Sequence, residues 1–384
     1  MIKIDNLKNC CGCTACSAAC NRDAITMRAD SKGFVYPYID TSICIECGLC
    51  EKVCPQINDK KSLSLDANYY AFRTKDATTL NNSSSGGIFF EIASFIIEKK
   101  HGVVCGVLYD DNMVVKHAFV DNITDLEFLQ GSKYVQSDLS QIYRQVKSYL
   151  AEGRYVMFTG TPCQVAGIKL FLRKPYSNLL LVDLICHSVP SPLIFKDYVN
   201  LVEKKNNKKL VSIKMRDKEK GWSHRFYYRY LFSDGTSIGS DALNCEHWGK
   251  IYFSGLITRP SCEDCKFTSY ERAGDITIAD YWDDSKQRPD AYCSQGTSLV
   301  IVSTQTGLDI FSVVADENLS WKLSKGEAFQ HCLEAPHAAN FNSTRFWNYY
   351  FKHGFVKTYN RYFDRSFINK VIRKIYKISG HPII

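Results

Sequence analysis

Two copies of one cysteine spacing, between Cys10 and Cys54, constrain this chain more than any other feature. The first copy, Cys10, Cys13, Cys16 and Cys20, reads C-x2-C-x2-C-x3-C; the second, Cys44, Cys47, Cys50 and Cys54, repeats it and closes with Pro55. Thiolates so spaced hold 4Fe-4S cubanes, three from each run on one cluster while the fourth crosses to the other. The expected ligand sets are therefore Cys10, Cys13, Cys16 and Cys54 for one cluster, and Cys44, Cys47, Cys50 and Cys20 for the second. Zinc ligands come as separated pairs, not as two quartets, and a disulfide framework belongs to secreted chains. Cys11 gives the wrong spacing to Cys13 and is left as a spare thiol.

A chain of 384 residues suggests two or three domains, of which residues 1–58 form a small bacterial-type ferredoxin domain organised by its metal. Nine of the 17 cysteines precede residue 55, so their excess reflects ligation more than packing. Met1 to Asn9 carries Asp5 and no apolar core, unlike a signal peptide. No apolar run reaches the roughly eighteen residues of a membrane span, so the expectation is a cytoplasmic protein. The net charge of +8 is concentrated beyond Asn340, where nine Lys and Arg face only Asp364. Aromatics interleave with those bases, among them Phe346, Trp347, Tyr359 and Phe367. Such a helical segment, 339–384, packs its rings on the main domain, or else contacts anionic lipid or an acidic partner; nucleic acid is not expected.

Asp59 to Asp66 reads as a linker, and Asn68 to Arg73 as a strand. Ser83, Ser84, Ser85, Gly86 and Gly87 then open a helix over Ile88 to Lys100 with a buried face at Ile88, Phe89, Ile92, Phe95 and Ile96. A Ser/Gly helix entry suits a phosphate, although spacing alone favours an N-cap made by Ser85. Gly102–Tyr109 and Met113–Val120 form a hairpin, and Gly131 to Ser137, GSKYVQS, is a loop between helices. Tyr155–Gly160 and Leu179–Ile185 read as buried strands, the first ending in Thr161, Pro162 and Cys163 and the second in Cys186 and His187. Two strand ends that each present a cysteine resemble the crevice edge of an open α/β sheet. Further strands follow at Leu210–Met215, Arg225–Phe232, Asp275–Ala279 and Ser298–Thr304. Cys262 and Cys265 share a polar loop; with Cys163 and Cys186 they make a third four-thiolate site, a zinc or redox pair, or unrelated core residues, and periodicity does not decide.

The segments SSSGG (Ser83 to Gly87), GSKYVQS (Gly131 to Ser137), TGTPCQVAG (Thr159 to Gly167), DLICHSVPSP (Asp183 to Pro192), CEDC (Cys262 to Cys265) and GDITIADYW (Gly274 to Trp282) together resemble the coenzyme F420 hydrogenase/dehydrogenase beta-subunit family. The resemblance implies an α+β or α/β chain whose residues 67–338 bind FAD and iron–sulfur. It implies flavin contacts from Ser83, Ser84, Ser85, Gly86, Gly87, Gly131, Ser132, Lys133, Tyr134, Gln136 and Thr161. It also implies a third 4Fe-4S cluster on Cys163, Cys186, Cys262 and Cys265. Two departures bear on the pocket: Ser188 stands where the family commonly has glycine after C-H, and Ala279-Asp280-Tyr281-Trp282-Asp283 replaces its G-D-x-W-G. The implied activity is an oxidoreductase passing electrons between ferredoxin-type clusters, FAD and an organic acceptor such as a deazaflavin, in either direction. Lys133, His187 and Asp280 are the polar candidates near that acceptor. Its partner is an electron-carrier protein or a small-molecule acceptor. The alternatives are a carrier subunit whose catalytic site lies on a separate partner and, more weakly, a zinc-bearing interaction protein.

Overall fold

The computed structural model describes residues 1–58, 66–222, 226–282, 288–338 and 340–364. Most of the linker expected from Asp59, the departure at Asp283 and the bases from Arg365 onward lie outside the described residues. The first unit is a hairpin, β1 (Ile25–Ala29) antiparallel to β2 (Val35–Ile39), with the helices Ala15–Ala19 and Leu49–Lys52. Its internal repeat is visible in the backbone. Gly12 and Glu46, at matching places in the two cysteine runs, both have positive φ, as do Thr14 and Gly48. These left-handed residues curl both runs alike.

An eight-stranded mixed sheet follows, built from β3 (Asn68–Arg73), β4 (Val103–Tyr109), β5 (Val115–Val120), β6 (Val156–Gly160), β7 (Leu179–Leu184), β11 (Ile276–Asp280), β12 (Ser298–Val302) and β13 (Leu319–Leu323). Their order is β13-β3-β12-β11-β7-β6-β4-β5. The four central strands, β11, β7, β6 and β4, run parallel. Buried on both faces, they are almost continuously apolar, as the sequence pattern anticipates. On one face Met157, Leu180 and Val182 meet Ile88, Ile92 and Ile96 of the helix Ile88–Lys100 and Phe311 of Gln305–Glu317. On the other, Phe158 and Leu181 meet Tyr143 and Val146 of Ile142–Ala151, and Val165 and Ile168 of Pro162–Leu172. The edge strand β13 alternates in sequence and in burial, its serine and lysine exposed, and the helix before it buries Ile310, Phe311 and Val314.

A smaller sheet, β8 (Leu210–Met215), β9 (Tyr228–Phe232) and β10 (Ser237–Gly239), packs on the helices Pro192–Asn206 and Trp248–Tyr252. The C-terminal helix Ser343–Tyr362 turns Phe346, Trp347, Phe355 and Tyr359 into the same core and leaves Arg345, Lys352, Lys357 and Arg361 outside. Its rings thus serve packing on the second unit. No helix among the described residues is long and apolar enough to cross a membrane.

The ferredoxin unit is held on the sheet unit from several sides. Arg144 donates to the carbonyls of Ala18 (2.9 Å) and Cys20 (3.0 Å). Lys266 donates to the Gln56 carbonyl at 2.6 Å. Gly33 lies so close to Leu193 that a Cβ there would sit 2.6 Å from the leucine Cβ.

Asp183, at the end of β7, is fully buried and binds Arg272 (3.2 Å), the Thr277 hydroxyl (2.5 Å) and the backbone N–H groups of Ala273 (3.2 Å) and Gly274 (3.1 Å). This network pins the loop before β11 to β7. Asp183→Ala leaves the buried Arg272 guanidinium with neutral acceptors in place of this counter-charge, and is expected to cost about 3–5 kcal/mol, read as a lowered midpoint in urea unfolding.

Candidate functional site

The parallel order brings the ends of β6 and β7 side by side, with Gly160 in register with Asp183. Cys163 therefore enters the helix Pro162–Leu172 next to Cys186, and the 3-10 turn Pro260–Cys262 carries Cys262 toward Cys186. Burial pushes the Cys186 thiol up, and the nearby Cys262 and Cys265 push it further. Burial likewise raises Cys262 to about 12, with Cys265 adding to it. Cys186 thus has Cys163 on one side and the Cys262–Cys265 pair on the other, all four half-buried.

In the ferredoxin unit, Cys10, Cys13, Cys16 and Cys54 line one small cavity of about 20 Å³ together with Cys11, Ile2, Ile4, Met27 and Pro37. The first four are the crossed set expected for the first cluster. Burial raises Cys10 to about 11 and Cys16 higher still, so these thiols ionise readily only with a cation among them. The apolar lining and the four converging thiols fit a cubane. Among the described residues no three His, Cys, Asp or Glu side chains close to the geometry of a single metal ion. In the second set Cys20, Cys44 and Cys50 are half-buried and Cys47 is exposed. The Ile2 N–H donates to Cys50 Sγ at 3.3 Å.

Cys11 is not a bystander. It is buried between the two units, where hydrogen bonds with Cys13 and Cys163 hold its thiol well below the usual range and push those partners up. Gly167 makes room for this contact, since a Cβ there would lie 3.0 Å from Cys13 Sγ. Register reasoning discards Cys11 because it tests only ligand spacing.

The two implied flavin loops touch each other. Ser84 Oγ accepts from the Ser132 N–H (2.8 Å) and hydroxyl (2.9 Å), and Ser83 Oγ accepts from Gln130 (3.1 Å). Ser85 does not cap the following helix: its hydroxyl donates to the Thr297 carbonyl at 2.7 Å, and Gly87, with φ +92°, occupies the cap. A Cβ on Gly86 would strike the Phe72 carbonyl and the Ser298 N–H, so close packing alone demands this glycine. Tyr134 stacks on Tyr252 at 4.9 Å. Lys133 donates to the Gln130 carbonyl at 2.7 Å, and burial lowers its ammonium to about 7.

Two expected flavin contacts point elsewhere. Gln136 donates to the Cys11 carbonyl (3.1 Å), because its side chain leaves the loop on the ferredoxin side. The Thr161 hydroxyl bonds Gln164 (3.0 Å) at the helix cap and lies 3.2 Å from Cys163 Sγ. Both belong with the thiols. His187 lies 3.4 Å from Cys332 Sγ and 4.2 Å, ring to ring, from His337; burial, then His337, lowers it to about 4, so it is a neutral imidazole at pH 7.

Sequence reasoning missed Arg216, Lys218 and Trp222. Arg216 is buried at positive φ, 3.6 Å from Asp280 and 4.7 Å from the Trp282 ring, with Nη2 unpartnered. Lys218 donates to the carbonyls of Leu80 (2.5 Å) and Ser85 (2.6 Å), and Trp222 donates to that of Ser84 (3.1 Å). The alternate bases Lys214, Arg216 and Lys218 running on from β8 were the available signal. Cations outnumber carboxylates beside the two serine loops, which fits an anionic group such as a diphosphate.

Residues 9–57 match the model of a 4Fe-4S dicluster domain. Residues 153–322 match that of the C terminus of the coenzyme F420 hydrogenase/dehydrogenase beta subunit. That segment holds Cys163, Cys186, Cys262 and Cys265; it starts beyond both serine loops and extends through the helix Gln305–Glu317. No curated protein matches. A chain from a xenon-derivatized F420-reducing NiFe hydrogenase complex of Methanosarcina barkeri is 18% identical, covering 69% of this chain and 83% of that one, with a TM-score of 0.44.

Burial lowers the Lys218 ammonium to about 7, from near 10.5 in an unfolded chain. Between those values the unfolded chain holds a proton that the folded one has lost, so stability rises with pH across the window. The urea midpoint of the natural protein relative to that of Lys218→Met, measured from pH 7 to 10, should therefore climb with pH.

Proposed function

We propose that this chain, whose residues 153–322 belong to the coenzyme F420 hydrogenase/dehydrogenase beta-subunit family and whose residues 9–57 form a 4Fe-4S dicluster domain, is an iron–sulfur flavoprotein oxidoreductase. It exchanges electrons between a redox partner and an organic acceptor. When bound, 4Fe-4S cubanes supply one-electron transfer, and FAD supplies the conversion between single electrons and hydride.

The observation that carries the reading is the continuity of the thiols. Cys47 is exposed, Cys50 neighbours Cys16, Cys13 and Cys163 share Cys11, and Cys163 neighbours Cys186. Cys10, Cys13, Cys16 and Cys54 would hold one cubane, Cys20, Cys44, Cys47 and Cys50 the second, and Cys163, Cys186, Cys262 and Cys265 the third. Ile2, Ile4, Met27 and Pro37 keep water from the first of these. Around the serine loops, Lys133, Arg216 and Lys218 would neutralise the flavin diphosphate, with Ser84 and Ser132 as hydrogen-bonding neighbours. Trp222 and Trp282, stacked at 4.7 Å, offer a flat wall beside them. Asp280 holds Arg216 in place.

Anaerobic purification, iron and sulfide counting and flavin extraction test this directly. About twelve irons per chain with one FAD are expected, as three cubanes require. Cys262→Ala should fall to about eight with the flavin retained. Eight irons in the natural protein would remove the third cluster, and no flavin after reconstitution would favour a carrier subunit that docks a separate catalytic partner.

A further inference from the structure

We propose that Arg259 is a counter-charge built between the ferredoxin unit and the sheet unit, raising the reduction potential of the centre held by Cys10, Cys13, Cys16 and Cys54. This rests on the iron–sulfur reading above. Arg259 is 0% exposed, an extreme position for the most strongly hydrated class of side chain. Its Nε donates to the Cys10 carbonyl (2.9 Å), Nη2 to the Val35 carbonyl (2.9 Å), and Nη1 to Gln136 Oε1 (3.0 Å). Nη2 also lies 3.8 Å from Cys10 Sγ. The rings of Tyr36 and Phe34 lie 4.5 and 5.4 Å from the guanidinium carbon.

Every acceptor in that set is formally neutral: two carbonyls, an amide oxygen and a thiol. A buried guanidinium with such partners is costly unless an anion completes the site. The groups at hand that can become anionic are the thiols. Of these, Cys10 Sγ lies nearest to the guanidinium, 3.8 Å from Nη2. The backbone is shaped to admit it. Gly12, between Cys11 and Cys13, has φ +71°, and a Cβ there would lie 2.8 Å from Arg259 Nη1 and 3.0 Å from Gln136 Nε2.

Reduction adds negative charge to a thiolate-bound cluster. A fixed cation beside it stabilises the reduced form, and a donor toward a ligand sulfur acts in the same direction. Arg259 is thus a positioning and tuning residue rather than a ligand.

The test is an EPR-monitored redox titration of the anaerobic holoprotein, with iron and sulfide counted for each variant. Arg259→Met should lower the midpoint of one cubane at unchanged iron content. Arg259→Lys, which keeps the charge, should stay near the natural value. Gln136→Glu keeps the side-chain shape and sets a carboxylate against the guanidinium, so it should lower the same midpoint. If Arg259→Met loses iron or fails to fold, Gln136→Glu decides. Unchanged midpoints in fully loaded Arg259→Met, or in Gln136→Glu, would overturn the proposal and leave Arg259 a structural clamp. A natural protein with no cubane signal would overturn the iron–sulfur reading and this inference with it, whereas normal signals with unshifted variants would overturn the inference alone.

Discussion

The contact between the first cysteine loop and the helix Pro162–Leu172 is what the rest of the molecule depends on. There Cys13 packs against the bare backbone of Gly167, and Cys11 bridges Cys13 and Cys163. A Cβ at position 167 would press on Cys13 and on the Tyr143 hydroxyl at 3.0 Å, so this close approach favours glycine. The sheet order serves the same contact, because adjacent parallel strands β6 and β7 deliver Cys163 and Cys186 to one crevice.

Buried positive charge marks both proposed sites. Arg259 lies among thiols, while Arg216 and Lys218 lie beside two serine loops with Asp280 as a nearby carboxylate. Such charges oppose folding of the bare chain and become favourable once an anionic group sits against them. Folding and cofactor loading are therefore coupled, as in other metal-organised units. The conformation of Arg216, a non-glycine residue at positive φ, is a local strain of the kind that collects at functional sites.

Much of this was legible in the residues. Cubane ligation imposes a spacing that few other demands imitate, so the two quartets identified themselves, and apolar runs such as Val156–Gly160 could only be central strands. What stayed hidden depended on which way single side chains point. Gln136 and Ser132 are four residues apart in one irregular loop, yet one serves the thiols and the other the serine loop. No period governs such a loop, so sequence could not separate them. Arg259 was invisible for a related reason: its partners Cys10, Val35 and Gln136 come from three distant segments.

The central claim is that the cysteine sets form one closely spaced series across two units. Reduced cubanes held that near one another couple magnetically. EPR of the dithionite-reduced, fully loaded protein should show broadened, interaction-split spectra, and Cys262→Ala should simplify them. Sharp, independent signals that are indifferent to the loss of Cys262, or a spectrum free of any cubane, would contradict it.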